Sequence, residues 1–306
     1  MEKKSLNKYR YTVIIPHYKI INLLERALQS IPDREDIQIL VVDDNSGIGI
    51  NEFEKVNSFK KAECTFILLK ENKGAGFARN EALKKADGQW LLFLDADDFF
   101  DKDAFLIFDQ YVNHTFDIVY FNTRSVFSDS LLESNRFSIY KAYIEYCDND
   151  DEYKKSLLKF AHSVPVAKML RHSLILDNNI VFDETRYCND SMFAVKAAIN
   201  SKSIYVDKKV VYVVTERESS LVTNSNLEAV KIRYEVQLRV NKLIREVGMF
   251  QYQNSLLAYW QQALKFGIPT FLSFVRLGIK YSGFNMYTLY LGRRRVLKML
   301  NDLNKK

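Results

Sequence analysis

Cysteine, proline, glycine and tryptophan are all scarce in this chain of 306 residues, at 3, 4, 10 and 2 respectively. The cysteines, Cys64, Cys147 and Cys188, are scattered with no C-x-x-C pair. That argues against a disulfide framework or a structural zinc site and fits a reducing compartment. So little proline and glycine, beside 47% hydrophobic and 27% charged residues, excludes wholesale disorder. Long apolar runs are missing as well. Met1–Arg10 is polar and lacks the apolar stretch of a signal peptide. The longest uncharged C-terminal stretch, Val247–Leu264, is interrupted by Gln and Asn and is too polar for a transmembrane helix. The expected location is the cytoplasm. At about 150 residues per domain the chain makes one large domain or two modest ones.

Charge is distributed unevenly. The whole chain sums to +6, from 44 Lys and Arg against 38 Asp and Glu. From Arg276 onward there are eight basic residues and one acid, Asp302, so the tail carries +7 and the body is close to neutral. A neutral body with a basic end reads as a catalytic domain with a surface-seeking terminus, and not as a nucleic-acid binder.

The first 120 or so residues alternate β-rich runs with helical patterns. Tyr11–Pro16, Ile37–Val42, Cys64–Leu69, Trp90–Leu94 and Asp117–Phe121 read as buried strands, while Ile21–Ile31 and Ala75–Ala86 read as helices. This alternation predicts parallel βαβ units in a sheet covered on both faces. Glu152–Ala161 and Tyr187–Asn200 read as further helices, Ser203–Thr215 as β-rich, and the chain from Asn226 onward as almost wholly helical.

In such sheets chemistry collects at the carboxyl ends of the strands. Here those ends carry Pro16-His17-Tyr18, Asp43-Asp44-Asn45-Ser46 and Asp95-Ala96-Asp97-Asp98. Carboxylates gathered at one point repel unless a cation sits among them, and a hard cation such as Mg²⁺ or Mn²⁺ shares oxygen ligands with substrate phosphates. Aspartate is equally a common turn former and helix cap, and Asp101 and Asp103 look like that. Gly74-Ala75-Gly76 begins like a dinucleotide fingerprint, but Arg79 stands at its final position and the segment follows the third strand, which argues against NAD.

The segments TVIIPHY, ILVVDDNS and ENKGAGFARNEALKKADGQWLLFLDADD together resemble the nucleotide-sugar domain of family 2 glycosyltransferases over about residues 9–125. The resemblance weakens toward residue 225. It implies an α/β GT-A fold: a Rossmann-like, mixed but mostly parallel sheet flanked by helices, here with a helical C-terminal extension. It implies domains at 1–225 (1–125 for the nucleotide sugar, 126–225 for the acceptor) and 226–306. It also implies an inverting enzyme with a UDP-sugar donor, a divalent cation (Mn²⁺ or Mg²⁺) and a saccharide acceptor, lipid-linked or free, in capsule, lipopolysaccharide or related glycan assembly.

By position, the resemblance places Pro16, His17 and Tyr18 around the uracil and gives Asp44 the uracil N–H, with Asp43 supporting the turn. Gly74 and Gly76 let backbone and nucleotide approach, and Arg79 reaches the nucleotide unless it is an ordinary surface arginine. Asp95 and Ala96 meet the nucleotide. Asp97 holds the metal, and Asp98 is a neighbouring ligand or a group behind it. The family's general base falls on Asp190, in Asn189-Asp190-Ser191-Met192-Phe193, where Asn replaces the usual Glu; the bland role for Asp190 is a helix cap. Ser163–Lys168 resembles the acceptor-side loop. Arg217 and Ser220 match the loop that closes over the diphosphate, although a plain surface loop would look the same.

Lys19 and Gly47-Ile48-Gly49 depart from the family pattern and leave the donor open. No Q-x-x-R-W motif follows Asp190, which favours one sugar per event over processive synthesis. A nucleotidyltransferase and a non-catalytic glycan-binding scaffold are the competing classes. At the C-terminus, Leu289, Val296, Leu297, Leu300 and Leu303 recur beside Arg293–Arg295 and Lys298. That helix either lies on an anionic membrane, packs on the protein or makes a homo-oligomer contact.

Overall fold

The structure, a computed structural model, describes residues 8–58, 64–217, 226–282 and 292–304. Its centre is a sheet of eight strands. β1 (Tyr9–His17), β2 (Ile37–Asp43), β3 (Cys64–Leu68) and β4 (Gly88–Phe93) are those expected from their apolar runs. They lie parallel in the order β3-β2-β1-β4. Every residue of β2 is buried, as a strand covered on both faces requires. The intervening helices are α1 (Ile21–Gln29), α2 (Ile50–Val56) and α3 (Ala75–Leu83).

Beyond β4 the sheet stops being parallel. β7 (Lys168–Arg171) runs antiparallel to both β4 and β6 (Ile118–Phe127), β8 (Ile204–Glu216) runs parallel to β6, and β5 (Phe99–Phe100) closes the edge antiparallel to β8. Neither β5 nor β7 is visible as a sequence pattern, because one has two residues and the other begins and ends on charge. β6 also outruns its expected end at Phe121. Asn122, Thr123 and Ser125 are polar yet buried, because β8 pairs along their whole length.

The remaining helices are α4 (Ala104–Asp109), α5 (Ser138–Tyr146), α6 (Glu152–Ala161), α7 (His172–Asp177) and α8 (Ser191–Asn200). They are followed by α9 (Leu227–Glu246), α10 (Leu257–Leu264), α11 (Ile268–Ser282) and α12 (Gly292–Leu303). Val236, Val240 and Ile244 of α9 and Met299 of α12 join the same buried cluster as the sheet. A second, small cluster holds α10 and α11 against α9 through Val230, Tyr234, Leu238, Leu256, Ala263 and Phe274. Asp103 stands at the N-terminus of α4 but makes no side-chain cap, and Asp101 instead receives a hydrogen bond from Arg124 Nε at 2.9 Å. Cys64, Cys147 and Cys188 are free thiols. Among the described residues no helix is long and apolar enough to cross a membrane.

At the opposite end from the strand termini with chemistry, Gly88 opens β4 against β1. Its N–H donates to Thr12 Oγ1 at 2.8 Å, and a Cβ there would stand 2.4 Å from Thr12 N. Backbone cannot retreat from such a clash inside a packed sheet. Gly88→Ala is therefore expected to cost about 1–3 kcal/mol. Urea unfolding of the variant checks this, and an unchanged midpoint would show that the two strands part easily.

Candidate active site

Three adjacent parallel strands, β2, β1 and β4, end on one rim. At the end of β1, His17 turns inward. Its side chain is wholly buried, edge-on to Phe53 with ring centroids 5.3 Å apart. Ile20 N–H donates to His17 Nε2 at 3.2 Å, so Nε2 is the acceptor and Nδ1 carries the proton directed at Asp43 Oδ1, 2.7 Å away. His17 therefore supports the rim from inside and does not face outward. Tyr18, 43% exposed, is the ring of this segment that faces outward, next to half-buried Pro16.

Asp43 also accepts from Ser46 N at 2.9 Å and Ser46 Oγ at 2.5 Å. Asn45 makes this turn at φ +59°, a left-handed conformation that Asn tolerates. Asp44 is 4% exposed and receives the N–H groups of Lys73 and Gly74, both at 2.7 Å. Gly74 has φ +88°, which its lack of a Cβ permits. Gly76 serves a different neighbour from the one expected. A Cβ there would lie 2.0 Å from Asp183 O and 3.0 Å from Asn189 Cβ, so this glycine lets α3 meet the 183–189 loop.

Arg79 is no surface arginine. It is 6% exposed, and it donates through Nη2 to Asp95 Oδ1 at 2.6 Å and through Nη1 to Asn189 Oδ1 at 2.9 Å. Its guanidinium also lies over the Phe182 ring, 5.3 Å from the centroid. Phe182 stacks on Phe193 at 3.9 Å, and both rings pack against Phe93 at 5.2 and 5.4 Å. An arginine and three phenylalanines thus bind the end of β4 to the start of α8.

In the turn after β4 the carboxylates divide. Asp98 is 5% exposed, with Thr215 N–H on Oδ1 at 2.7 Å and Tyr212 O–H on Oδ2 at 2.9 Å. Burial above all, then the charges of Asp97 and Asp95, hold its carboxyl well above the ordinary carboxylate range. Of the two roles expected for Asp98, a neighbouring ligand or a group behind one, its arrangement suits the second: both oxygens accept hydrogen bonds and it braces the turn from behind. Ala96 is buried beside it at 2% exposure. Asp95 remains 39% and Asp97 19% exposed at the side chain. Asp97 Oδ2 holds Arg217 Nη2 at 2.5 Å, a cation in contact with this carboxylate. Among the described residues no group of three or more His, Cys, Asp or Glu is gathered to hold a metal by side chains alone. Ser220 lies outside the described residues.

Asp190 stands at the N-cap position of α8, just before Ser191, but its side chain makes no cap hydrogen bond. Burial raises its pKa, and the charges of Arg79 and Lys168 pull the other way, with Asp95 adding to the rise. Lys168, 3% exposed, donates to His162 O at 2.8 Å and sits 4.9 Å over the Tyr120 ring. Its pKa is pushed down to about 7 by burial, against the attraction of Asp190.

The family model described as Glycosyl transferase family 2 matches residues 12–177, more than half of the chain. This chain is a family 2 glycosyltransferase.

Among curated relatives, this glycosyltransferase is 25% identical over 228 residues to the poly(ribitol-phosphate) β-N-acetylglucosaminyltransferase TarS of Staphylococcus aureus, covering 71% of this chain and 37% of that protein. It is 38% identical over 105 residues to an uncharacterised glycosyltransferase of Rickettsia conorii, covering 34% of this chain and 17% of that one. The chain thus spans well under half the length of either relative. Its fold is that of the crystal structure of S. aureus TarS 1–349 in complex with UDP-GlcNAc, with a TM-score of 0.60 at 21% identity, covering 96% of this chain and 80% of that one. The mannosyltransferase PcManGT of Pyrobaculum calidifontis, in complex with GDP-Man and Mn²⁺, matches with a TM-score of 0.53 at 16% identity, covering 96% and 86%. The expected GT-A-like sheet with a helical C-terminus is therefore present.

Several residues that hold the aspartate turn carry no sequence signal. Arg26 Nη2 donates to Asp97 O at 2.7 Å and Nη1 to Ser128 O at 2.9 Å, which clamps the aspartate turn from α1. Tyr212 O–H accepts from Asp95 N–H at 3.1 Å while donating to Asp98. Thr215 Oγ1 donates to Asp97 O at 2.8 Å. Each meets its partner across a long stretch of chain, and nothing local marks it.

Asp43 yields a test of how tightly the β1 and β2 ends are tied. Burial works to raise its carboxyl, but the hydrogen bonds from His17 and Ser46 outweigh it and hold the pKa below the ordinary value. A depressed carboxylate binds fewer protons folded than unfolded, so its stabilisation is full above about pH 4 and drains away as pH falls through the lower folded value. Asp43→Asn is expected to cost about 1.5–3 kcal/mol at neutral pH and to flatten the loss of stability in acid. Urea midpoints across the acid range measure both effects.

Proposed function

We propose that this protein transfers one sugar at a time from a UDP-sugar to a saccharide acceptor in surface-glycan assembly, with inversion at the anomeric carbon and with help from a divalent cation. The observation that carries this reading is the Arg79 bridge. It joins Asp95, at the nucleotide end of the cleft, to Asn189 beside Asp190. We assign residues 1–125 to the donor, 126–225 to the acceptor, and 226–306 to a helical extension. TarS was crystallised with UDP-GlcNAc, and a poly(ribitol-phosphate) β-glucosyltransferase of Bacillus spizizenii is also a relative, 25% identical over 205 residues. These relatives favour an N-acetylglucosamine or glucose donor, and they widen the acceptor class from saccharides to sugar-alcohol phosphate polymers.

Tyr18 and Pro16 would flank the uracil, with Asp95 at the ribose and Asp44 at the ring N–H through a second lone pair of an oxygen that already accepts from Lys73 or Gly74. Asp97 would hold Mn²⁺ or Mg²⁺, a hard cation that takes a few carboxylate oxygens and completes its shell with phosphate and water, which suits the small donor set left at the rim. When bound, the cation supplies positive charge beside the leaving diphosphate. Arg217, which holds Asp97, would pair with a phosphate oxygen of the donor. Asp190 takes the proton of the acceptor hydroxyl. That oxygen attacks the anomeric carbon from the face opposite the diphosphate, the carbon–oxygen bond to phosphate breaks, and UDP departs with the electron pair. The absence of a cap bond leaves the Asp190 carboxylate available for this task, and Asn189 gives Arg79 a partner without adding a second negative charge beside the base.

A base must be ionised to act, so the rate is expected to fall as pH drops through the raised pKa of Asp190, above the usual carboxylate range. Lys168→Met removes a positive charge that favours the ionised form. It should therefore move this acid limb to higher pH while leaving the alkaline plateau nearly unchanged. A pH profile of kcat/KM decides, and a limb that stays in place removes Lys168 from the account.

Asp190→Asn is expected to lower transfer by about a hundredfold or more while keeping donor binding. Thermal stabilisation by UDP-GlcNAc, UDP-glucose and GDP-mannose, each with and without Mn²⁺, reads binding apart from turnover. Stabilisation by the GDP-sugar alone, or full transfer by Asp190→Asn, would overturn the assignment.

A further inference from the structure

Among the described residues, the last helices leave one apolar face exposed. α11 commits one side to α9: Tyr234 O–H donates to Phe274 O at 2.6 Å, the two rings stack at 4.4 Å, and Trp260 Nε1 donates to Tyr234 Oη at 3.0 Å. Gly278 belongs to that packed side, since a Cβ there would stand 2.6 Å from Tyr234 Oη. Another side of α11 shows Ile268, Leu272 and Ile279 to solvent, at 69%, 58% and 43% exposure. Their spacing of i, i+4 and i+11 puts them on a single stripe. Just before α11, Leu264 at the end of α10 and Phe266 in the turn are also exposed, at 50% and 37%. Lys265, Arg276 and Lys280 are exposed along the stripe's edge. From residue 247 to residue 301 the chain has seven basic side chains and no acidic one.

We infer that this face of α10 and α11 docks on an anionic lipid bilayer. Single exposed apolar side chains are ordinary on a protein surface, but a connected row with a purely cationic border has the composition of an interfacial helix. The apolar row would enter the boundary between head groups and acyl chains, and the lysines and arginine would meet the acidic head groups. A second copy of the chain fits poorly, because a two-fold contact through this face would set its basic borders against each other. The terminal basic helix, where a membrane contact was expected, is a weaker candidate. Met299 of α12 is buried, Val296, Leu300 and Leu303 pack toward the core, and Arg295 donates to Gln251 O at 2.5 Å. It contributes charge, with Leu297 as its exposed apolar side chain.

Docking is independent of the sugar chemistry and is tested apart from it, by flotation of the full chain with vesicles of phosphatidylcholine alone or mixed with phosphatidylglycerol. Binding is expected with phosphatidylglycerol, absent with phosphatidylcholine alone, and lost in high salt. Ile268→Ser combined with Leu272→Ser should weaken it at least tenfold. Arg276→Ser with Lys280→Ser should do so by a similar factor, roughly fivefold for each charge removed. Circular dichroism spectra and urea midpoints matching those of the parent would show that both variants remain folded. The inference fails if the chain ignores phosphatidylglycerol vesicles or if the variants bind them as well as the parent. It fails equally if the parent sediments as a dimer that the Ile268 and Leu272 changes convert to a monomer.

Discussion

A buried guanidinium holds this site together. Arg79 has left water almost completely, and such a charge is tolerable only where its partners are fixed and well aimed. Its partners come from the turn after β4 and from the loop before α8, so satisfying one side chain sets the distance between two distant parts of the chain. The Phe93, Phe182 and Phe193 cluster packs the same junction. Arg239 of α9, bonded to Asp183 at 2.7 Å, anchors the loop from its other side. Proposed donor and acceptor halves are thereby mounted on one frame, whose rigidity comes from a charge that has nowhere else to go.

The parts of the fold that were legible in the sequence are those where burial on both faces produces unbroken apolar runs. β1 to β4 show such runs, and their ends can be read because polar residues follow at once. β7 could not be read, since Lys168 and Arg171 interrupt it, and neither could the far half of β6, whose polar residues are buried only because β8 pairs with them. In the site, the strand-end aspartates were visible but their orientations were not. One step along a tight turn reverses the direction of a side chain, which separates outward Tyr18 from inward His17 and half-buried Asp97 from enclosed Asp98. Arg26, Tyr212 and Thr215 meet the aspartate turn only after folding. A tyrosine among 18 gives no hint of the carboxylate it will face.

Charge is also sorted by region. At the sheet rim an arginine attends each of two aspartates: Arg79 on Asp95 and Arg217 on Asp97. The helical end is basic, with almost no acid. The two regions are nonetheless continuous in packing, because α9 contributes to both the sheet core and the small cluster beneath α10 and α11. Any load taken up by those last helices would be passed along α9 to the loop that holds Asp183.

Gly76 carries a consequence for how this molecule can change over generations. The helix that bears Arg79 and the segment that bears Asn189 touch so closely there that a single methyl group would strike the carbonyl of Asp183. Two stretches far apart in the gene are thus locked into joint drift. A larger residue at position 76 could persist only alongside a shortened or re-routed partner loop, and descendants should keep both or alter both.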